Sequence, residues 1–317
     1  MAERKPTLVI SSGDPAGVGP EVTIKAAARA EVRELAELIV TGDPALIERT
    51  AKDLDLPPPR VEAAGDASEV EPGRLSAAAA RAAVAAIERA LELIRDGAAD
   101  GLVTAPINKE ALKLAGFPWP GHTEMLAEMT QSKEVRMLLT SGNLRVVHVT
   151  THRSLKSAID AATKERVKTT IRLAHDAGLK LGFKRPRIAV AGLNPHAGEG
   201  GLFGDEEQRE IVPAIDEAKA DGIEVSGPWP ADTLFWRAAR GDFDLVIAMY
   251  HDQGHVPVKL SGFDEGVNVS LGLPILRTSV DHGTAFDIAG QGKARWQSMA
   301  AAIRVAAAMA ARDPDGR

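Results

Sequence analysis

The chain contains no cysteine, which removes a disulfide framework, a thiolate zinc site and a cysteine nucleophile together. Any metal must then rest on oxygen and imidazole ligands, and a cytosolic location fits. No run of Lys or Arg is long enough to track a phosphate backbone, and 38 basic against 44 acidic residues give a formal net charge of -6. Nucleic acid is not expected as a partner. Nothing approaches the ~20 apolar residues of a membrane span, and the start, MAERKPTLVISSG, lacks an apolar region of signal-peptide length. A soluble, unexported protein without a membrane partner is expected.

Also missing are the standard nucleotide fingerprints. SSGDPAGVGPE follows an apolar run and opens a helical segment, but its glycines 13, 17 and 19 do not match G-x-G-x-x-G and no P-loop lysine follows. A tight turn with Pro20 at the start of a helix explains it equally well. HAGEGGLFGDEE misses both patterns too, and its glycines can equally serve close backbone passage beside His196.

What the chain does have is a series of short apolar runs: TLVISSG, AELIVTG, GLVTAP, VRMLLTSG, LRVVHVTTH, RIAVAGLN, LVIAMYH and VNVSLGLPILRTSV. Near-continuous apolar strands spaced by helix-period segments predict parallel sheets covered on both faces, an α/β class. At 317 residues, two domains sharing a cleft are expected. Val84, Ile87, Leu91 and Ile94 fall at helical spacing, as do Trp296, Met299 and Ile303, and both sets read as core stripes. DLPPPRVEAAGDASEVEPGR reads as a surface excursion, and DPDGR as a frayed end.

Three of the apolar runs end alike. LRVVHVTTH delivers His152, RIAVAGLNPH delivers His196 and LVIAMYH delivers His251, each at or beyond the carboxyl end of a strand, where open α/β sheets place their ligand crevice. Three neutral imidazoles can hold a divalent metal and leave positions open for substrate oxygens. A lone strand-end histidine is more simply a hydrogen-bonded core residue, and His148 and His175 keep that reading. A second set suits a small anion. In GHTEMLAEM, Thr123 can cap a helix while its hydroxyl, the free backbone N–H groups and His122 face a phosphate. Lys259, Asn268 and Arg277 add an ammonium, an amide and a guanidinium fork. Asn268 and Arg277 lie in the apolar context GVNVSLGLPILRTSV, where a bound anion would offset an otherwise costly buried charge.

The blocks GDPAGVGPE, TAPINKEAL, GHTEMLAE, VTTH, NPHAGEGGLFGDEE, YHDQGHVPVK and GVNVSLGLPILRTSVDHGTAFDIAG, in this order over nearly the whole chain, resemble the 4-hydroxythreonine-4-phosphate dehydrogenase family of vitamin B6 biosynthesis. The resemblance implies two α/β/α domains flanking a cleft, similar to isocitrate and isopropylmalate dehydrogenases. One would comprise residues 1–130 with 281–317 on the cofactor side, the other residues 131–280 with metal, substrate and dimer contacts. It implies metal ligands at His152, His196 and His251, and substrate contacts at His122, Thr123, Lys259, Asn268 and Arg277. DHGTAFDIAG is similar to the cofactor loop of β-decarboxylating dehydrogenases, which would set His282, Gly283, Thr284, Ala285 and Asp287 around the adenosine of NAD or NADP. Phe286 departs from the proline usual there.

The implied reaction is oxidation of the C3 hydroxyl of 4-phosphohydroxy-L-threonine, aided by zinc, magnesium, cobalt or manganese, to a 3-oxo acid that decarboxylates to 3-amino-2-oxopropyl phosphate. Asp252, Asp281 and a metal-polarised water are the candidate bases. Family relatives oxidise threonate or erythronate 4-phosphate, or an aromatic dihydrodiol, and TAPINKEAL does not separate the first two from the biosynthetic substrate. A phosphate acyltransferase or a non-catalytic phosphometabolite-binding module are the readings from other classes. The family also implies a homodimer whose active site is shared, His251 of one subunit joining His152 and His196 of the other. Val256, Pro257, Val258, Leu260 and Phe263 offer an apolar surface for such a partner, with a core role as the plainer alternative.

Overall fold

The computed structural model describes residues 4–262 and 266–312, so Phe263 and the terminal DPDGR lie outside the described residues. The chain forms two compact units. The first runs to Lys133 and resumes at Leu273, and the second is Glu134–Gly272.

In the first unit, β1 (Thr7–Ser11), β2 (Glu37–Gly42), β3 (Arg60–Ala63), β4 (Gly101–Thr104) and β11 (Arg277–Val280) pair in the order β3-β2-β1-β4-β11. All these pairings are parallel. Leu8, Val9, Ile10, Leu102 and Val103 are fully buried, as strands covered on both faces require. The helix Ala77–Arg95 sits on one face, where Val84 and Ile87 pack with Val9, Ile39 and Leu102, and Leu91 and Ile94 lie partly buried against them. The last helix, Gln297–Ala310, buries Met299 and Ile303. Trp296 sits just before it, with the Arg29 guanidinium 4.2 Å from its ring centre. The expected domain boundary at residue 280 differs from the observed one at 272. Arg277 pairs with Leu102 of β4, so β11 belongs to the first sheet. Within the expected surface excursion, residues 60–63 form the edge strand β3, whose sequence RVEA leaves it only half covered.

The second unit orders β10 (Val267–Leu271), β5 (Arg136–Ser141), β6 (Leu144–His148), β9 (Leu245–Ala248), β7 (Ile188–Ala191) and β8 (Val225–Trp229) side by side. This sheet is mixed where a parallel one was expected. β5 and β6 form an antiparallel hairpin with Ser141 opposite Leu144, and β10 runs antiparallel to β5. The two-residue turn Gly142–Asn143, with Gly142 at φ 55°, is a hairpin connection placed between two strands that are both largely buried. β6, β9 and β7 are mutually parallel. The helix Lys164–Lys180 packs against this sheet, and Leu234, Phe235 and Val258 pack against Val146, Ala189 and Val246.

His148 is a core residue, 1% exposed. Its Nδ1–H donates to the Met137 carbonyl at 3.3 Å, which leaves Nε2 to accept from His255 Nδ1 at 3.1 Å. Burial above all lowers its pKa to about 3, with the neighbouring histidines adding to the effect. The unfolded chain, with a histidine pKa near 6.5, takes up the proton first as pH falls. Stability from this group is therefore complete above about pH 6.5 and is lost as pH drops towards the folded value. In His148→Gln, urea unfolding between about pH 6 and about pH 5 should lose roughly 1.4 kcal/mol per pH unit of pH dependence relative to the parent chain. An unchanged slope would place that titration elsewhere.

Candidate active site

Because β6, β9 and β7 are neighbouring parallel strands, their carboxyl ends open on one edge. His152 follows β6, His251 follows β9 and His196 follows β7, each within five residues of its strand. His251 begins the helix His251–Ser261, with Tyr250 extended before it. Its Nδ1–H donates to the Asp252 carboxylate at 2.6 Å, which in the neutral ring leaves the Nε2 lone pair for another partner. The His152 and His251 ring centres are 5.8 Å apart. Together with Arg153, Tyr250 and Asp252 they line a cavity of about 320 Å³. Behind His251, His255 stacks on the ring at 3.6 Å and 11°. Gln253 ties two strand exits together, accepting from Met249 N and donating to the Gly192 carbonyl, each at 2.7 Å.

His196 stands apart from this pair on an unusual segment. Residues 196–200 all have positive φ, between 44° and 80°. Only glycine adopts that region freely, and each of His196, Ala197 and Glu199 costs roughly 1–2 kcal/mol there. The glycines of HAGEGG thus serve the backbone path.

The donors are suited to a divalent cation, being imidazoles near a cavity. Their number in one chain is not sufficient. Among the described residues, no group of three or more His, Asp or Glu side chains gathers to hold a metal ion. One chain presents His152 beside His251 and leaves His196 outside that pair.

The anion set divides between the units. In the first, Arg277 is 2% exposed on β11, and its Nε and Nη2 donate to Thr104 Oγ1 of the adjacent β4 at 3.2 and 2.6 Å. Burial lowers its pKa to about 9, while the Glu124 carboxylate pulls the other way. His122 is held well below 6.5, by burial first and by the Arg277 charge second, so its ring is neutral at pH 7. Its buried Nε2 has no hydrogen-bond partner, a condition that a ligand oxygen or hydroxyl would relieve. The helix His122–Met129 is capped by Gly121 with no side-chain bond, which corrects the expected Thr123 cap. It starts two residues early because Gly121 O already accepts from Met125 N, so His122 and Thr123 both sit in the first turn. In the second unit, Asn268 lies on β10 with a buried Oδ1 that lacks a partner, and Lys259 is exposed on the helix 251–261.

The expected cofactor loop is braced by the first glycine-rich turn. Thr284 is buried, and its carbonyl accepts from Val18 N at 2.9 Å. A Cβ at Gly17 would come within 2.8 Å of Thr284 Cβ, so glycine is needed for that close approach. Ala285 is left-handed at φ 42°. Phe286 packs beside Ala16, Leu46, Ala67 and Val70, anchoring the loop by apolar contact. His282 donates from Nδ1 to the Gly283 carbonyl at 3.0 Å, and its Nε2 is buried without a partner. Gly283 and Asp287 are exposed, as a surface for a cofactor would be. Asp281 belongs to this unit and Asp252 to the other. Thr104, Gln253 and His255 were not among the expected site residues. His255 had a signal in its four-residue spacing from His251 on one helix face.

Residues 33–306 match the family described as pyridoxal phosphate biosynthetic protein PdxA. The chain belongs to this family. The D-threonate 4-phosphate dehydrogenase of Cupriavidus necator is 46% identical, with 98% of this chain and 99% of that protein covered. The 4-hydroxythreonine-4-phosphate dehydrogenase of Beijerinckia indica is 48% identical, with 93% of each covered. The crystal structure of 4-hydroxythreonine-4-phosphate dehydrogenase from Klebsiella pneumoniae aligns at TM-score 0.87 and 44% identity, over 96% of this chain and 99% of that one.

The coupling of His122 to Arg277 can be read directly. Arg277→Met removes a like charge, so the His122 pKa should rise towards 6.5 in an NMR titration of its ring protons. No change would leave burial as the sole cause.

Proposed function

We propose that the chain is a metal-dependent, NAD- or NADP-linked dehydrogenase of a 4-phosphorylated four-carbon hydroxy acid, with 4-phosphohydroxy-L-threonine as substrate and the cytosol as its compartment. The observation that carries this reading is the pairing of unsatisfied polar groups with family membership. His122 Nε2, Asn268 Oδ1 and His282 Nε2 are buried without partners, and all belong to the set expected to meet substrate or cofactor. When bound, a divalent cation and an oxidised nicotinamide would supply Lewis acidity at the alcohol oxygen and a hydride acceptor, taking the alcohol to a 3-oxo acid that loses CO2.

The chain's own residues bind and orient. Arg277, fixed on Thr104, presents a buried guanidinium to a phosphate oxygen, and the neutral His122 beside it adds a hydrogen bond without adding charge. Thr123 and the N–H groups of the first helical turn supply further donors, and in the second unit Lys259 and Asn268 are the groups expected to meet substrate. Asp252 holds His251 through Nδ1 and so fixes the direction of Nε2; that engagement favours an orienting role for Asp252 and keeps Asp281 among the candidate bases. The loop from His282 to Asp287 receives the adenosine.

The imidazole set is completed by a second copy, with His196 and His251 of each site drawn from different chains. Support comes from the incomplete set in one chain and from exposed apolar side chains flanking the histidines: Leu155, Leu202, Phe203, Val256 and Leu260. Val258 is buried and does not belong to that face.

D-threonate 4-phosphate is the alternative substrate, because the relative bearing that name is nearly as similar as the one named for 4-hydroxythreonine 4-phosphate. A panel of 4-phosphorylated four-carbon acids, with NAD and NADP and with and without chelator, decides by the appearance of reduced nicotinamide. Chelator-sensitive turnover of 4-phosphohydroxy-L-threonine above the sugar acids is expected. Faster turnover of D-threonate 4-phosphate would transfer the assignment, and no turnover of any would leave only a binding function.

A further inference from the structure

Glu207 is 2% exposed, and its carboxylate is engaged entirely by the segment that carries His196. Oε1 accepts from Leu193 N and Asn194 N, both at 2.7 Å, and Oε2 accepts from Asn194 Nδ2 at 2.9 Å. The left-handed turn closes around the same group. A Cβ at Gly198 would lie 2.7 Å from Oε2, and one at Gly192 3.3 Å from Oε1. Asn194 Nδ2 donates also to Glu206 at 2.7 Å, so one amide joins both carboxylates. Glu207 itself opens a π-helical turn, Glu207–Ile211, a rare widened geometry that recurs at functional sites.

A buried carboxylate is costly unless its lone pairs are met by N–H groups, and here they are met by backbone and amide donors of one loop. That loop runs through residues that resist its conformation, since His196, Ala197 and Glu199 are all left-handed. The carboxylate is what fixes the exit from β7, and the direction in which His196 leaves the turn follows from it.

We propose that Glu207 is the positioning residue for His196, acting through Leu193, Asn194 and the left-handed turn to present the imidazole to a divalent cation. It does not touch the cation. This inference rests on the reading of His196 as a metal ligand, and the test separates the two.

Cobalt(II) is the probe, titrated into the full-length protein and followed by calorimetry and by its visible absorption. In Glu207→Gln the Oε2 position becomes an NH2 facing the Asn194 Nδ2 donor, and cobalt affinity should fall by about 10-fold or more, the range typical of groups that orient metal ligands. Circular dichroism should show the fold retained. His196→Ala should lose at least as much. Parent-like cobalt binding in folded Glu207→Gln, with binding lost in His196→Ala, overturns the positioning role. Parent-like binding in His196→Ala overturns the metal reading beneath it. If Glu207→Gln does not fold, Asn194→Ala, which removes one donor and leaves the carboxylate in place, is read instead; weakened cobalt binding supports the proposal and unchanged binding overturns it.

Discussion

The Arg277 guanidinium and the Nε2 atom of His122 share one constraint, which is that water has been removed from around both. Arg277 donates two of its N–H groups to Thr104, and burial brings its pKa down to about 9 while the Glu124 carboxylate opposes that shift. His122 gives up its charge altogether and keeps an unpaired ring nitrogen. The result is a cationic and a neutral group close together and shielded from water, where an anion would meet a stronger field than it would in water. The same constraint acts in the second unit. His148 stays neutral in the core, and the Glu207 carboxylate is tolerated because a loop folds its donors around it.

Strain and hydrogen bonding offset one another at the exit from β7. Left-handed residues outside glycine destabilise the turn, and charge-assisted bonds to Glu207 restore it. Natural chains keep such an arrangement where the direction of a side chain matters more than the local cost. At the exit from β9 the same end is reached by simpler means. A helix starts at His251, Asp252 holds its ring, and Gln253 binds the helix to the neighbouring strand exit.

Much of this was legible in the sequence. The eight apolar runs all form strands, because fully buried strands must be apolar along their whole length. The delivery of His152, His196 and His251 to one sheet edge was legible for the same reason. β3 and β8 were not, since RVEA and VSGPW are half exposed or carry Gly and Pro, and their pairing depends on neighbours distant in sequence. The antiparallel hairpin was hidden by the burial of both its strands, although Gly142–Asn143 carried the signal. At the candidate site, residue types singled out the imidazoles and the candidate anion groups, and only family resemblance pointed to the candidate cofactor loop, while Thr104 and Glu207 are found only by their three-dimensional partners. The left-handed path of residues 196–200 has no sequence signature beyond its glycines.

The proposed activity depends on one metal site shared between two copies of the chain. His196→Ala and His251→Ala subunits should each be inactive alone. Mixed under conditions of subunit exchange, they should regain activity, because in each heterodimer one site collects both substitutions and the other collects none. If His196 and His251 of a site belonged to the same chain, every site in the mixture would carry a lesion and the mixture would stay inactive.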